Sequence, residues 1–421
     1  MDTLPKGEWW RIFGDEELNR LEQQALAGNF SLQAAVARLE RSRALTQTSR
    51  AGLFPSIDLD GKSTRTRASA NRPSASNNGN VNSSVQNDYA LGFVVNYEAN
   101  LFGRISRDVE ASSADEQQAA ADLENVRLLL TSDVAANYFS LRALEGEIAI
   151  IEENITVQTH ALDVVRARHD DGIDLAQQEL LVSGTRSQWQ QLLRQSAQQR
   201  HALATLLGVT INNFVLATKP LPEKLPQIPL ALPADLLQRR PDIASAERAV
   251  AAANARIGVA RAAWFPHLNL SATEGMESSH LNTLFGTPSL AWSLGLALSQ
   301  TLFDGGRNQA KVNYANSVHQ QATASYRQTV LKAWQEVEDG LAGSRILAAA
   351  RNDAFIANRA ADRVADITEQ RYQAGLVGAI ERYTARQNAL IAQREVQRLA
   401  GQQWVNAVYL VKALGGGWDP L

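Results

Sequence analysis

The sequence predicts an internally duplicated α+β protein in which long helical hairpins alternate with pairs of amphipathic strands. Three observations lead there. Landmark segments recur about 200 residues apart, proline-free stretches of good helix formers far exceed ordinary helix length, and between those stretches the apolar period falls from 3.6 to 2.

The duplication is visible at four landmarks. AAWFPHLNLSATEG, Ala262–Gly275, resembles SRAGLFPSIDLDG, ending at Gly61, and the pair Phe265–Pro266 lies 211 residues after Phe54–Pro55. WSLG at Trp292 follows YALG at Tyr89 by 203 residues, and Gly375 of RYQAG follows Gly172 of RHDDG by the same 203. LLG at Leu206–Gly208 is matched by ALG at Ala413–Gly415. The predicted organisation is a first repeat over 1–218, a proline-rich linker over 219–233, a second repeat over 234–415 and a tail over 416–421.

Taken in order, each repeat opens with a helix, predicted over Glu16–Gly52 in the first and Ala234–Ala263 in the second. The Phe-Pro pairs Phe54–Pro55 and Phe265–Pro266 end these helices, because proline cannot continue a helix and pushes the preceding residue toward extended geometry. Two strands follow in each repeat, at about 55–67 and 87–99, then at about 265–275 and 289–301. Next comes a long hairpin, at about 101–208 in the first repeat and 305–414 in the second. Its outgoing helices, from Arg104 to about Arg168 and from Arg307 to about Tyr372, are rich in Ala, Gln, Glu, Arg and Leu. A helix of about 65 residues runs on the order of 100 Å. Leu141, Leu144, Ile148, Ile151, Ile155, Leu162 and Val165 step by threes and fours, with Gln158 as a polar interruption, which is a coiled-coil seam. Glu145, Glu152, Arg166 and Arg168 fall on the other faces, suited to water or to cross-helix pairs. The return helices are predicted over Leu175–Leu207 and Gly378–Leu414.

The strands alternate in the manner of a membrane barrel or of a half-buried sheet packed against a core. Leu290, Trp292, Leu294, Leu296 and Leu298 share one face of the last strand, and Tyr89, Leu91, Phe93, Val95 and Tyr97 share one face of the second. In the third, Trp264, Leu268, Leu270 and Ala272 oppose His267, Asn269, Ser271 and Thr273, while the first carries only Ile57 and Leu59. Four strands cannot close a barrel that holds side chains, and an open edge is not tolerated in hydrocarbon. A membrane location therefore requires several copies to share one barrel.

Composition excludes other classes. With no cysteine among 421 residues there are no disulfides or thiolate nucleophiles, and a net charge of −3 argues against nucleic acid as a partner. The six histidines are scattered, His160, His169 and His267 among them, without metal-ligand spacing, and only two methionines are present for soft metals. No catalytic arrangement and no cofactor motif emerges. A soluble coiled-coil scaffold or adaptor accounts for the long helices but does not require four strands with lipid-like faces.

LPADLLQRRPDIASAERAVAAANARIGVARAAWFP, Leu232–Pro266, with WWRIFGDEELNRL, LFGRISRDVEA, VAANYFSLR and LFDGGR, is similar to the signature of outer-membrane efflux channels of the TolC/OprM type. The resemblance implies a homotrimer in which four strands per protomer build one shared 12-stranded β-barrel that continues into a long periplasmic α-helical barrel. It implies passive efflux of drugs or other small toxic compounds, with an inner-membrane pump of the resistance-nodulation-division class and a periplasmic adaptor protein as partners besides outer-membrane lipid. A duct for type I protein secretion is the competing use within the family. Many relatives are lipoproteins acylated on an N-terminal cysteine, so a leader and any such cysteine are expected to precede residue 1. By the same resemblance, Glu381 and Thr384 stand where related channels place aspartates at the periplasmic aperture. Tyr372, Gln178 and Val377 occupy gate positions, with a Tyr372–Gln178 hydrogen bond expected, and the tips Gly172, Ile173, Gly375, Leu376 and Val377 are the expected adaptor contacts. The Phe-Pro hinges would then mark the boundary between membrane and periplasm, with Trp264 near the interface and Asp58 and Asp60 facing the lumen.

Overall fold

The computed structural model describes residues 7–67, 69, 85–167, 172–222, 224–226 and 240–416. Arg168, His169, most of the 219–233 linker, the segment 234–239 and all but Gly416 of the predicted tail lie outside the described residues. Helices α1 (Glu16–Gly28) and α2 (Phe30–Ala51) precede strands β1 (Ser56–Arg67) and β2 (Val85–Ala99). Helices α3 (Arg104–Ala167) and α4 (Ile173–Leu206) follow, then α5 (Pro241–Ala262), strands β3 (His267–Ser278) and β4 (Leu290–Ser299), and helices α6 (Arg307–Gln373) and α7 (Ala379–Ala413). At 64 and 67 residues, α3 and α6 have the predicted length.

The chain divides into two compact units, one of Met1–Leu39, Ala119–Ala246 and Tyr326–Leu421, the other of Glu40–Gln118 and Glu247–Ser325. The first is all helix and turn, and its core gathers Trp9, Phe13, Tyr138, Phe139, Trp404 and Val408. Phe139 packs 4.6 Å from Trp404 and 5.0 Å from Phe13, centroid to centroid. Asp15 ties this core to its own helix. Its Oδ1 caps α1 by accepting from the backbone of Glu17 and Leu18, and its Oδ2 accepts from the Tyr138 hydroxyl at 2.6 Å.

Two expectations need correction here. The single helix over Glu16–Gly52 is two, because Asn29 turns extended and spends its side chain on both neighbours: Nδ2 donates to Leu206 O at 2.8 Å and Oδ1 accepts from Leu32 N at 3.0 Å. Gly208, at φ +72°, lies so close to the Gly28 carbonyl that no side chain fits between them. The second correction concerns Glu145, which is buried rather than water-facing. It accepts from Arg142 at 2.8 Å and from Arg200 of α4 at 2.5 Å, so the cross-helix pair exists but in the interior. Arg142 also reaches Ala217 O at 2.6 Å, fixing the segment that leaves α4. The seam otherwise runs as predicted, with Leu141, Ile151, Leu162 and Val165 buried together with Gln158.

The second unit contains an antiparallel sheet of order β1-β2-β3-β4. Register puts Ile57 and Leu59 with Val95 and Phe93, these with Ala272 and Glu274, and these in turn with Leu294 and Trp292. Apart from Val94, which pairs with Asp58, the large apolar side chains thus share one face across all four strands. Asp58, Asp60, Asn96, Glu98, Asn269 and Ser271 share the other. Glu274, and Arg65 and Arg67 at the far end of β1, are the charged exceptions on the apolar face. Gly92 and Gly275 are paired directly, and either Cβ would strike the facing backbone.

Both hinges are built alike. The amide of Phe54 donates to Ala51 O and that of Phe265 to Ala262 O, each at 3.0 Å, so each helix tightens into a last 3-10 turn before its proline. The strand begins directly after Pro55 and Pro266. Phe265 stacks on Phe102 with centroids 4.9 Å apart and planes within 15°. Glu98, at the end of β2, accepts from Arg104 at 2.8 and 2.7 Å, which joins strand to α3.

Candidate functional site

The helical reversals at Gly172 and Gly375 form the candidate site, and both lie in the first unit. The second is fully described. Gly375 N donates to Tyr372 O and Leu376 N to Arg371 O, both at 2.9 Å, with Gly375 at φ +72°. This is a Schellman closure, and it needs a residue that takes positive φ without strain. Helix α7 then starts after Gly378 with no side-chain cap, so its first turn lacks the usual fastening of its free amides. Ala379 and Ala385 are the buried residues of its first two turns.

What fastens it is Arg382. The Nε of Arg382 pairs with Glu369 Oε2 on α6, and its guanidinium lies over the Tyr372 ring at 5.0 Å and the Tyr383 ring at 5.5 Å from the centroids. Glu381 occupies the third position of α7 and is exposed; Thr384 is exposed too, its hydroxyl donating to Ile380 O at 2.8 Å. Val377 is half-buried and Leu376 is exposed. On the other tip Gly172 leads into α4, with Ile173 exposed and Gln178 half-buried. No hydrogen bond joins Tyr372 to Gln178 within this protomer among the described residues; the tyrosine ring instead receives Arg382.

Sequence reasoning passed over Arg382, although a signal was present. With Gly172 set against Gly375, Arg166 aligns with Glu369 and Glu179 aligns with Arg382. Arg166 pairs with Glu179 at 2.9 Å in the first hairpin, so the two hairpins carry the same cross-helix ion pair with its charges exchanged. Farther along, Arg386 of α7 pairs with Glu153 of α3 at 2.6 Å, and Arg394 reaches Glu147 at 3.2 Å and Gln188 at 3.1 Å. Burial holds the Glu147 carboxyl above the ordinary range, against the pull of Arg394. Among the described residues no cluster of His, Cys, Asp and Glu could hold a metal ion, and no helix is long and apolar enough to cross a membrane.

A sheet with one largely apolar and one polar face, entered from short helices through proline hinges and followed by long helical hairpins that reverse at glycines, is the build of an outer-membrane channel. The chain belongs to the outer membrane efflux protein family, whose profile matches residues 21–209 and again 232–416. It is 33% identical over 425 residues to the solvent efflux pump outer membrane protein SrpC of Pseudomonas putida, covering 99% of this chain and 88% of that one. It is 30% identical to the outer membrane protein OprJ of Pseudomonas aeruginosa, covering 100% of this chain and 87% of the relative. Among solved structures it superposes on the CmeC outer membrane channel of Campylobacter jejuni with TM-score 0.91 at 25% identity, covering 100% of this chain and 89% of the other. The protein is an outer-membrane efflux channel that conducts small molecules outward, and its helical part lies largely in the periplasm.

Proposed function

We propose that three copies of this chain close a single twelve-stranded barrel and a helical cylinder continuous with it, forming the exit duct of a tripartite efflux system. The observation that carries this is the open sheet. Among the described residues β1 and β4 are edge strands, yet Ile57, Leu59, Leu294 and Leu296 are all exposed on one face. An unpaired edge is too costly in hydrocarbon, and four strands are too few to close on themselves. Pairing β1 of one copy with β4 of the next removes every edge. The apolar face then meets lipid, and Asp58 and Asp60 line the lumen.

The repeats over 1–218 and 234–415, joined by the linker 219–233, are the two halves of each protomer's share of the wall, supported by the double match of the family profile. The Phe54–Pro55 and Phe265–Pro266 hinges mark the periplasmic boundary of the membrane. At the tips, Glu381 and Thr384 ring the aperture, Tyr372, Gln178 and Val377 pack the gate, and Gly172, Ile173, Gly375, Leu376 and Val377 meet a periplasmic adaptor that links the duct to a resistance-nodulation-division pump. The test is cross-linking between strand edges. None of the 421 residues is a cysteine, so Leu59→Cys with Leu294→Cys introduces the thiols of the barrel edges. Oxidation in native membranes should give a covalent trimer; a ladder that stops at monomer overturns the shared barrel.

A further inference from the structure

Charge is distributed unevenly along the β1–β2 hairpin. From Gly61 to Asn87 the sequence holds Lys62, Arg65, Arg67 and Arg72 and no Asp or Glu; the next acid, Asp88, pairs with Lys62 at 3.2 Å. Alternation sends these residues to opposite faces of the sheet. Lys62 and Asp88 lie with Asp58 and Asp60 on the polar face, whereas Arg65 and Arg67 lie with Ile57 and Leu59 on the apolar one. Both arginines are exposed, opposite Asn87 and Val85 in the ladder.

The protein sets no counter-charge beside them on that face. The nearest positions there, Ser63, Val85, Asn87 and Tyr89, are uncharged. The acid on the apolar face, Glu274, stands opposite Phe93 on the row of Leu59, six residues before Arg65. In the proposed barrel β1 meets β4 of the next copy, and β4 contains no charged residue. An arginine among apolar side chains on a lipid-facing surface is costly at mid-membrane and tolerable near its edge, so depth decides what these two can do. Arg65 lies ten residues after Pro55, the hinge at the periplasmic boundary. At about 3.3 Å per residue this is roughly 33 Å of strand, and a tilt of about 40° makes it roughly 25 Å of height, the thickness of a barrel's apolar band. Arg65 therefore stands at the far edge of the hydrocarbon and Arg67 in the headgroup layer. Tyr89, opposite Ser63, lies one pleat below them, where barrels carry an aromatic girdle.

We propose that Arg65 and Arg67 form a binding site for the phosphate of the lipid in the outward-facing leaflet, a phosphorylated glucosamine lipid of the lipid A class, one per copy. The inference rests on the barrel reading above. Guanidinium groups one pleat apart can clasp one phosphate with paired N–H donors, while the acyl chains run down over Leu91 and Phe93. Lys62, one strand position from the apolar face, takes no part because it points into the lumen.

The experiment is native mass spectrometry of the full-length protein in detergent, titrated with diphosphoryl lipid A and, in parallel, with phosphatidylethanolamine. Saturable retention of three lipid A molecules per trimer is expected, well ahead of phosphatidylethanolamine. Arg65→Gln with Arg67→Gln should weaken it roughly thirtyfold, the equivalent of two arginine–anion attractions. Arg65→Lys with Arg67→Lys, which keeps the charge, should stay within about fivefold of the parent, and Lys62→Gln within about twofold. Equal retention of the two lipids means that acyl chains alone are bound and overturns the proposal. So does retention unchanged in the glutamine pair, or lost as far in Lys62→Gln. The same spectra count the chains in each particle: a trimer that retains no lipid A removes the site and leaves the barrel standing, whereas a monomer overturns both.

Discussion

Reversing the charge of Arg382 should loosen the second hairpin tip by an amount the geometry allows to be worked out. The partners Arg382 and Glu369 are 36% and 37% exposed, so surface values apply. The ion pair is worth about 0.2–1 kcal/mol, and stacking of the guanidinium on Tyr372 about 0.5–1 kcal/mol at an exposed site. Arg382→Glu removes both and sets two carboxylates face to face, adding on the order of 1 kcal/mol of repulsion at close range in water. The total is about 2 kcal/mol, or roughly a thirtyfold rise in the open population of the uncapped first turn of α7. Amide hydrogen exchange across 379–383 in the nanodisc-held protein reads this directly. Adding Glu369→Arg recreates the polarity of the Arg166–Glu179 pair and should return exchange to within about fivefold of the parent, the residue being the lost stacking. The difference between the reversed and the doubly swapped proteins should shrink as salt is raised. Equal exchange in the two variants would show that the pair does not hold the tip.

Three further outcomes are expected. Glu22 is fully buried in α1 with both carboxylate oxygens unpartnered, and burial raises its pKa well above the usual value. A raised carboxyl pKa favours the native state below the unfolded pKa of about 4.3 and loses that contribution as pH climbs toward the folded value; Glu22→Gln should therefore raise the melting temperature at pH 7.5 and barely change it at pH 4, and an equal gain at both would refute the buried charge. Gly208→Ala combines positive φ with a collision against the Gly28 carbonyl, so membrane yield of trimer should fall steeply, whereas Gly184→Ala, with open space around its Cβ, should stabilise by about 0.5–1 kcal/mol in thermal melts. Gly375→Arg should abolish export in a susceptibility assay while trimer and membrane insertion persist; full export by that variant removes the tip from adaptor contact.

The fold was legible wherever one local rule governed many residues. Proline-free runs of helix formers located α3, α4, α6 and α7 to within a few residues, and alternation located the strands, with β3 continuing to Ser278 because Tyr89 and Ala90 of β2 extend its ladder. The division at Asn29 was hidden because Gly28–Asn29 is a weak breaker by itself. The break is decided by Leu206 and Gly208, some 180 residues away, which the asparagine and glycine must meet. Glu145 looked like a surface residue by helical phase, but Arg142 and Arg200 approach it from one turn ahead and from another helix, and phase alone carries no such information. At the tips, family resemblance drew attention to Tyr372 and Val377. The side chain that organises the reversal, Arg382, has no place in that pattern and shows itself only when one half of the chain is set against the other.

That exchange of charge between the halves also acts as an address. An outgoing helix from one half and a return helix from the other would set Arg166 against Arg382, or Glu369 against Glu179. Either mismatch replaces an attraction with a repulsion, whereas each helix paired with its own sequel finds its complement. Duplicated hairpins of nearly equal length risk trading partners as they fold, and under the proposed three-copy assembly the wrong partner is always at hand. A pair of swapped charges at the last turns lets each return helix know which outgoing helix it belongs to.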